Sequence, residues 1–245
     1  MTKKVFITLG IVIAVLVVLA SAYFLMMKSV LNKMTPVETG IITDNIYAIK
    51  DSYVNIYFVR SDSGFVMIDA GNNIETIKAG LLNLNIDVEA VRAIFLTHSD
   101  GDHVASIPLF PNAKVFLSRQ EEQLLTGETS RFFVFGNKIK CDQYNLIDDD
   151  QVIHLPGLTI RGILSPGHTP GSMCYLVNDR YLFTGDVLKL IDGKVEEFHH
   201  FINMDTDADK KSIDRLSGLE GVEYIFTAHY GVAKDFEVAF KDWSR

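Results

Sequence analysis

The densest chemistry in the chain lies in Thr97-His98-Ser99-Asp100-Gly101-Asp102-His103, four metal-competent side chains directly after an apolar run. Imidazole nitrogen suits zinc or iron and carboxylate oxygen suits harder ions, so the segment is a candidate metal loop. Extended chain alternates its side chains, which lets His98 and Asp100 point to one side. Gly101 permits a sharp turn that carries Asp102 and His103 to a second position. By itself the segment also fits a solvated acidic loop. Three further positions change the balance. His168 lies in Ser165-Pro166-Gly167-His168-Thr169-Pro170-Gly171, Asp186 closes Leu182-Phe183-Thr184-Gly185-Asp186, and His229 closes Ile225-Phe226-Thr227-Ala228-His229. Four of the seven histidines thus follow an apolar strand-like run, beside Gly or Asp.

The elements that must position these residues are legible from periodicity. Short β-branched and aromatic runs at Ile41-Ile42, Ile46 to Ile49, Val54 to Val59 and Phe65 to Ile68 read as strands separated by polar turns. Ile74, Ile77, Leu81 and Leu84 recur at helical spacing. Val91 to Thr97 reads as a strand, Val104 to Phe110 as a short helix, Ala113 to Leu117 as a strand and Gln120 to Leu125 as a surface helix. Strands are expected again at Val152-Ile153, Leu158 to Leu164, Met173 to Val177, Tyr181 to Thr184 and Tyr224 to Ala228. Helices are expected over Asp209 to Leu219 and Lys234 to Trp243. In both halves strands lead and helices follow, the pattern of sheets covered by helices, an α/β (α+β) class.

This ordered set of strand ends resembles the metallo-β-lactamase superfamily. That signature runs His-x-His-x-Asp-His, then Gly-His, then Asp, then a final His. Ile68-Asp69-Ala70-Gly71 and Pro166-Gly167-His168-Thr169-Pro170-Gly171 resemble two more family motifs, and the likeness runs from about Ile41 to the C-terminus. The resemblance implies an αββα sandwich with a dinuclear site at one edge of the sheets. It places His98, Asp100 and His168 on a first metal and Asp102, His103 and His229 on a second, with Asp186 bridging. Asp102 is also the candidate catalytic residue. The implied activity is hydrolysis of a small-molecule ester, thioester, lactone, lactam or phosphoester by a metal-bound hydroxide. Zinc is the expected cofactor, as one or two ions, with iron or manganese as alternatives.

Asp100 departs from the pattern, which has histidine there. Two divalent ions, three carboxylates and one hydroxide give a neutral core, one unit more negative than with histidine. The Asp102/His103/His229 position is therefore expected to fill first and the His98/Asp100/His168 position last. A carboxylate at this point also suggests a diiron oxidoreductase as the alternative; a tethered, non-catalytic binding module is the third reading. Asp69 is read either as a carboxylate that orients a ligand histidine or as a turn former. His199-His200 are expected as a surface pair, His154 as a strand-edge residue, Asp148-Asp149-Asp150 as a solvated turn, and Phe132-Phe133-Val134-Phe135 as core. Cys141 and Cys174 are expected as buried thiols rather than a disulfide.

A net charge of −8 over 245 residues argues against a general nucleic-acid binder, which needs a basic stripe. With six scattered prolines and no low-complexity run, the simplest partition is a short N-terminal segment, residues 1–33, and one catalytic domain, residues 34–245. Val5 to Met27 carries no charge and is flanked by Lys3-Lys4 and Lys28. As a helix it spans roughly 35 Å, enough to cross a bilayer core. Ala20-Ser21-Ala22 fits a signal-peptidase pattern, but the apolar run continues to Met27, which favours an uncleaved single-pass anchor. Lys3 and Lys4 favour an inside N-terminus and an extracytoplasmic domain.

Overall fold

A computed structural model describes residues 2–131 and 136–243. The chain divides into two compact units, residues 1–34 and 35–245. The first is dominated by helix α1 (Thr2–Leu31), whose side chains from Phe6 to Met26 are exposed. Its apolar span, Phe6–Leu31, covers 26 residues, about 39 Å at 1.5 Å per residue. It is long and apolar enough to cross a membrane, a property it shares with signal sequences.

The second unit is built on two sheets. In the first, spatial order follows chain order: β1 (Gly40–Thr43), β2 (Ile46–Asp51), β3 (Val54–Ser61), β4 (Gly64–Ile68), β5 (Val91–Phe95), β6 (Lys114–Ser118) and β7 (Asn145–Ile147). β1 to β4 pair antiparallel and β4 to β7 parallel. The second sheet is formed by β8 (Val152–Leu155), β9 (Leu158–Leu164), β10 (Met173–Val177) and β11 (Tyr181–Gly185). A separate hairpin, β12 (Leu188–Ile191) and β13 (Lys194–Glu197), follows before β14 (Tyr224–Thr227) and β15 (Val232–Ala233) complete the sheet, in the order β15-β14-β11-β10-β9-β8. β11 and β14 are parallel.

Strand β3 shows why the sheets stack. Tyr57 and Val59 face the second sheet, where they join Tyr175, Phe183 and Phe226. Ile56 and Phe58 face the other way, onto Ile77 and Leu81 of helix α2 (Ile74–Leu84). Both faces are covered, so the run Ile56 to Val59 is continuously apolar rather than alternating. Each large side chain buried here is worth about 1.5–3 kcal/mol. Two tyrosines bind the sheets together: Tyr57 Oη donates to the carbonyl of Thr227 at 2.7 Å and Tyr175 Oη to that of Leu96 at 2.8 Å. Each carbonyl lies two residues before a histidine of the candidate site, His229 and His98. The packing that holds the sandwich closed therefore also sets the heights of the strand ends.

The remaining helices are α3 (Gly101–Val104), α4 (Glu122–Thr126), α5 (Thr206–Leu216) and α6 (Phe236–Phe240). Some bounds differ from expectation. Asp205 caps α5 by accepting from the Ala208 amide at 2.9 Å, which starts that helix before Asp209. The closing helix is shorter than Lys234 to Trp243 because Asp235 caps it, accepting from the Val238 amide. The β12–β13 hairpin was not foreseen; its alternation is broken by Asp192-Gly193, a turn with both residues at positive φ. The Gln120 to Leu125 segment is not a surface helix, because Glu121 and Leu124 are fully buried. Phe132 to Phe135 lie outside the described residues.

Candidate metal centre

The loop after β5 begins with a tie rather than a ligand. Asp69, at the end of β4, accepts from the Thr97 amide at 2.8 Å and from Thr97 Oγ1. Its Oδ2 also lies 2.9 Å from His103 Nδ1. Asp69 sits at φ 61°, the left-handed region that Asp tolerates better than most residues. It is thus both of the things the sequence offered: a turn former and the carboxylate behind a histidine. Gly101 proves to be the first residue of α3 with ordinary helical backbone, and a Cβ there would meet nothing within 4 Å. The turn that carries Asp102 and His103 around is the helix itself, not glycine freedom. Gly185 is different. Its φ is 55° and a Cβ would approach Thr97 to 2.5 Å, so glycine is what lets Asp186 come up beside the β5 loop.

Each histidine of the cluster has its Nδ1 against an oxygen. His98 Nδ1 faces Thr97 Oγ1 at 3.1 Å, His103 faces Asp69, His168 faces Asn203 Oδ1 at 3.2 Å, and His229 faces the carbonyl of Tyr53 at 2.7 Å. The network assigns the Nδ1 proton in every case, so all four Nε2 atoms are turned inward. His229 Nε2 lies 3.1 Å from Asp186 Oδ1 and 3.7 Å from Asp102 Oδ2; His103 Nε2 lies 3.5 Å from Asp186 Oδ1 and 3.8 Å from Asp102 Oδ1. On the other side, Asp100 Oδ2 is 3.6 Å from His98 Nε2 and 3.4 Å from His168 Nε2, and His168 Nε2 is 3.5 Å from Asp186 Oδ2. A tetrahedral zinc with ligands at about 2.0–2.2 Å has donor-to-donor edges of roughly 3.3–3.6 Å. Both sets are spaced for it.

The structure therefore brings together all seven predicted side chains: His98, Asp100, Asp102, His103, His168, Asp186 and His229. Three tight groups result, His98/Asp100/His168, His98/His103/Asp186 and Asp102/His103/His229, each with donor atoms within 4.8 Å of one another. Among the described residues, His98 Nε2, His103 Nε2 and Asp186 Oδ1 are buried with no hydrogen-bond partner. Leaving such atoms unmade costs about 1–3 kcal/mol each, more when charged. A metal ion satisfies them, and the residues present fit one.

Without an ion the electrostatics are lopsided. Burial disfavours a charged His103, but the carboxylates of Asp69, Asp186 and Asp102 outweigh it and raise its pKa to about 10. His229 is raised the same way by Asp186 and Asp102 against its burial. His168 goes the other way, pushed down to about 4 by burial and by the Arg131 guanidinium. Asp186 and Asp100 are held well below the usual carboxylate range: burial opposes, yet the surrounding histidines dominate.

Several supporting residues were invisible in the sequence. Glu121 accepts from the Ser99 amide and hydroxyl at 2.8 and 2.7 Å and from Thr169 Oγ1 at 2.6 Å, clamping the His98 loop to the His168 loop. Arg131 reaches Asp100 and His168, and Asn137 Nδ2 donates to Asp100 Oδ1 at 2.9 Å. The only signal was negative: Glu121 interrupts no apolar face that would have marked it as buried. His199 is not a surface residue but half-buried, with Nε2 2.6 Å from Tyr230 Oη; His200 is exposed beside Glu197. His154 is exposed on edge strand β8. Asp148, Asp149 and Asp150 are neutralised by Arg119, Arg215 and Arg161. Cys141 and Cys174 are both free, the first only partly buried.

Two face-packed sheets with a histidine–aspartate cluster at their strand ends define the class. The chain belongs to the metallo-beta-lactamase superfamily, whose family model matches residues 49–229. It is 34% identical over 140 residues to a protein of Bacillus velezensis named as a probable polyketide biosynthesis zinc-dependent hydrolase, covering 56% of this chain and 55% of that one. It is 31% identical over 141 residues to an atrochrysone carboxyl ACP thioesterase of Emericella nidulans, covering 54% and 39%. The chain thus matches about half the length, or less, of these curated relatives. Among solved structures, a metallo-β-lactamase of Cronobacter sakazakii with a HARLDQ motif superposes with TM-score 0.64 at 21% identity, covering 80% of this chain and 79% of that one. BJP-1, a subclass B3 metallo-β-lactamase of Bradyrhizobium japonicum, gives 0.61 at 17%, covering 80% and 79%. At these identities the structures speak for the fold.

Proposed function

We propose that residues 34–245 form a metal-dependent hydrolase of small-molecule esters or thioesters, and that zinc is the metal. The observation that carries this reading is the group of buried donor atoms without a hydrogen-bond partner, His98 Nε2, His103 Nε2 and Asp186 Oδ1, inside a cluster whose Nδ1 atoms are all fixed from behind. The names of the zinc-dependent hydrolase and thioesterase relatives support the bond class. Asp102, His103, His229 and Asp186 would hold an ion at the second position, with His98, Asp100 and His168 around the first. When bound, a divalent ion supplies Lewis acidity and makes water a nucleophile at neutral pH.

The chain's own residues supply the rest. Asp102 turns one oxygen to His103 and the other to His229, and at 22% exposure it is the most open member of its group. It can hold an ion through one oxygen and take a proton from attacking water on the other, which is the catalytic role assigned to it. Phe198 packs its ring against His168 and His229, at 5.3 and 6.0 Å between centroids. It shuts water out on that side and forms the wall of an open cavity of about 560 Å³ shared with His199, Phe201, Lys210 and Trp243.

The test uses the full chain in detergent, loaded with zinc and offered aryl ester, acyl thioester, lactam and phosphodiester probes. Turnover of esters or thioesters that chelation abolishes and zinc restores is the expected result; no turnover of any probe by the zinc-loaded protein would overturn the reading. The α1 helix is proposed as a membrane anchor with the domain outside the cytoplasm. Protease added to intact cells then removes the domain, whereas protection until lysis would place it inside.

A further inference from the structure

The two halves of the cluster are not equally open to an ion. Arg131, 37 residues before His168 and with its side chain only 3% exposed, lays its guanidinium across the first position. Nε lies 2.7 Å from Asp100 Oδ2 in an ion pair, and Nη2 lies 2.9 Å from His168 Nε2. Nη1 donates to the carbonyl of His168 at 2.6 Å and Nη2 to that of Ile202 at 3.0 Å, which lock the fork in place. The other oxygen of Asp100 accepts from Asn137 at 2.9 Å.

An imidazole nitrogen has a single in-plane lone pair. With His168 Nδ1 turned to Asn203, Nε2 offers that lone pair to Arg131, and it cannot serve a metal ion as well. Asp100 is likewise engaged at both oxygens. Its negative charge is matched by a guanidinium that does not deprotonate, in planar geometry suited to a carboxylate. Among the described residues no arginine or lysine pairs with Asp102 or Asp186: their ion-pair partners are His103 and His229, with His168 also on Asp186.

We propose that Arg131 is the resident cation of the first position and that this chain works with one metal ion, held at the second. The proposal rests on the cluster being a metal centre, as argued above. Asp100 and Arg131 act as a pair: the carboxylate that departs from the family pattern is there to hold the guanidinium. Asp100 and His168 become positioning residues for Arg131.

Full-length protein in detergent is titrated with zinc and, after removal of excess, its metal is counted by mass spectrometry; cobalt(II) spectra report the coordination. The expected count is one ion per chain in the wild type, one in Arg131→Lys, and two in Arg131→Met, which keeps the length of the side chain and loses the charge. Cobalt added to Arg131→Met beyond the first equivalent brings a second set of ligand-field bands. Two ions in the wild type would overturn the proposal, as would a single ion in an Arg131→Met protein that melts like the wild type. Should Arg131→Met fail to fold, the wild-type and Arg131→Lys counts decide alone. Absence of any ion overturns the metal-centre reading and this inference with it, while one ion without ester or thioester turnover overturns only the proposed activity.

Discussion

The second ligand set and the first are built from the same kinds of residue and have nearly the same donor spacings, yet their surroundings differ. Behind His103 stands Asp69, a carboxylate 2.9 Å from its Nδ1. Behind His168 stands an amide, Asn203, which in turn donates to Asp209 at 3.0 Å. Burial raises the Asp209 carboxyl to about 8, so near neutral pH it is largely protonated and lends little charge. A carboxylate behind an imidazole makes its far nitrogen a better metal ligand; an amide does so much less. In front, Asp100 and His168 of the first set face Arg131, whereas the carboxylates of the second set pair only with histidines among the described residues. Spacing alone therefore does not make two equivalent metal positions. What a donor set can hold depends on what its back and front are already committed to.

The largest effect expected from this contrast is on metal retention. His103→Ala removes a donor from the favoured set, and the purified protein loses its zinc; His168→Ala removes one from the set held by Arg131, and most of the zinc stays. Elemental analysis of the two variants side by side is the check, and equal loss in both would erase the distinction. A smaller effect attaches to the support behind His103. Asp69→Asn keeps an acceptor for the Thr97 amide and tolerates the positive φ, but withdraws the charge. Zinc affinity measured by chelator competition should fall about 10–100-fold. An unchanged affinity would mean that the carboxylate contributes geometry only.

Protons sharpen the comparison further. In the metal-free protein the His103 pKa is raised to about 10, so it carries a proton at pH 7 that an ion must displace, and His229 is shifted in the same direction by Asp186 and Asp102 against its burial. Calorimetry in buffers of different ionisation enthalpy should show proton release on zinc binding, with affinity climbing as pH rises through neutral towards 10. Zinc binding at pH 7 with no proton uptake by the buffer contradicts this. The sign for stability is the opposite. A histidine whose folded pKa exceeds its unfolded value of about 6.5 contributes fully below 6.5 and loses that contribution as pH rises through 10. Metal-free protein is therefore expected to melt lower at pH 10 than at pH 6.

The smallest effect lies behind the first set. Burial raises the Asp209 carboxyl from an ordinary 3.8 to about 8, so the folded state binds its proton more tightly than the unfolded state does. Its contribution is complete below pH 4 and falls away as pH climbs to 8, on the order of a few kcal/mol at most. Asp209→Asn should flatten that part of the pH–stability curve while preserving the bond to Asn203 through an amide flip. Thermal melts of both proteins between pH 5 and 8 measure it; parallel curves would show that Asp209 stays ionised in the fold.

Much of this site was written locally. The residue types and order of His98, Asp100, Asp102, His103, His168, Asp186 and His229, in segments that follow strands, are legible from short apolar runs followed by Gly, Asp and His, and those runs do form β5, β9, β11 and β14. The apolar N-terminal helix was equally plain, since twenty-odd uncharged residues have few other uses. Only the tertiary structure decided who stands behind and before the cluster. Asp69 meets His103 across 34 residues, Glu121 meets Thr169 across 48, and Arg131 meets His168 across 37. None of these partners sits on a periodic face. A lone arginine or glutamate in a loop has no local pattern to betray its burial, because its desolvation is compensated by charges that only the folding of two sheets onto each other brings within reach.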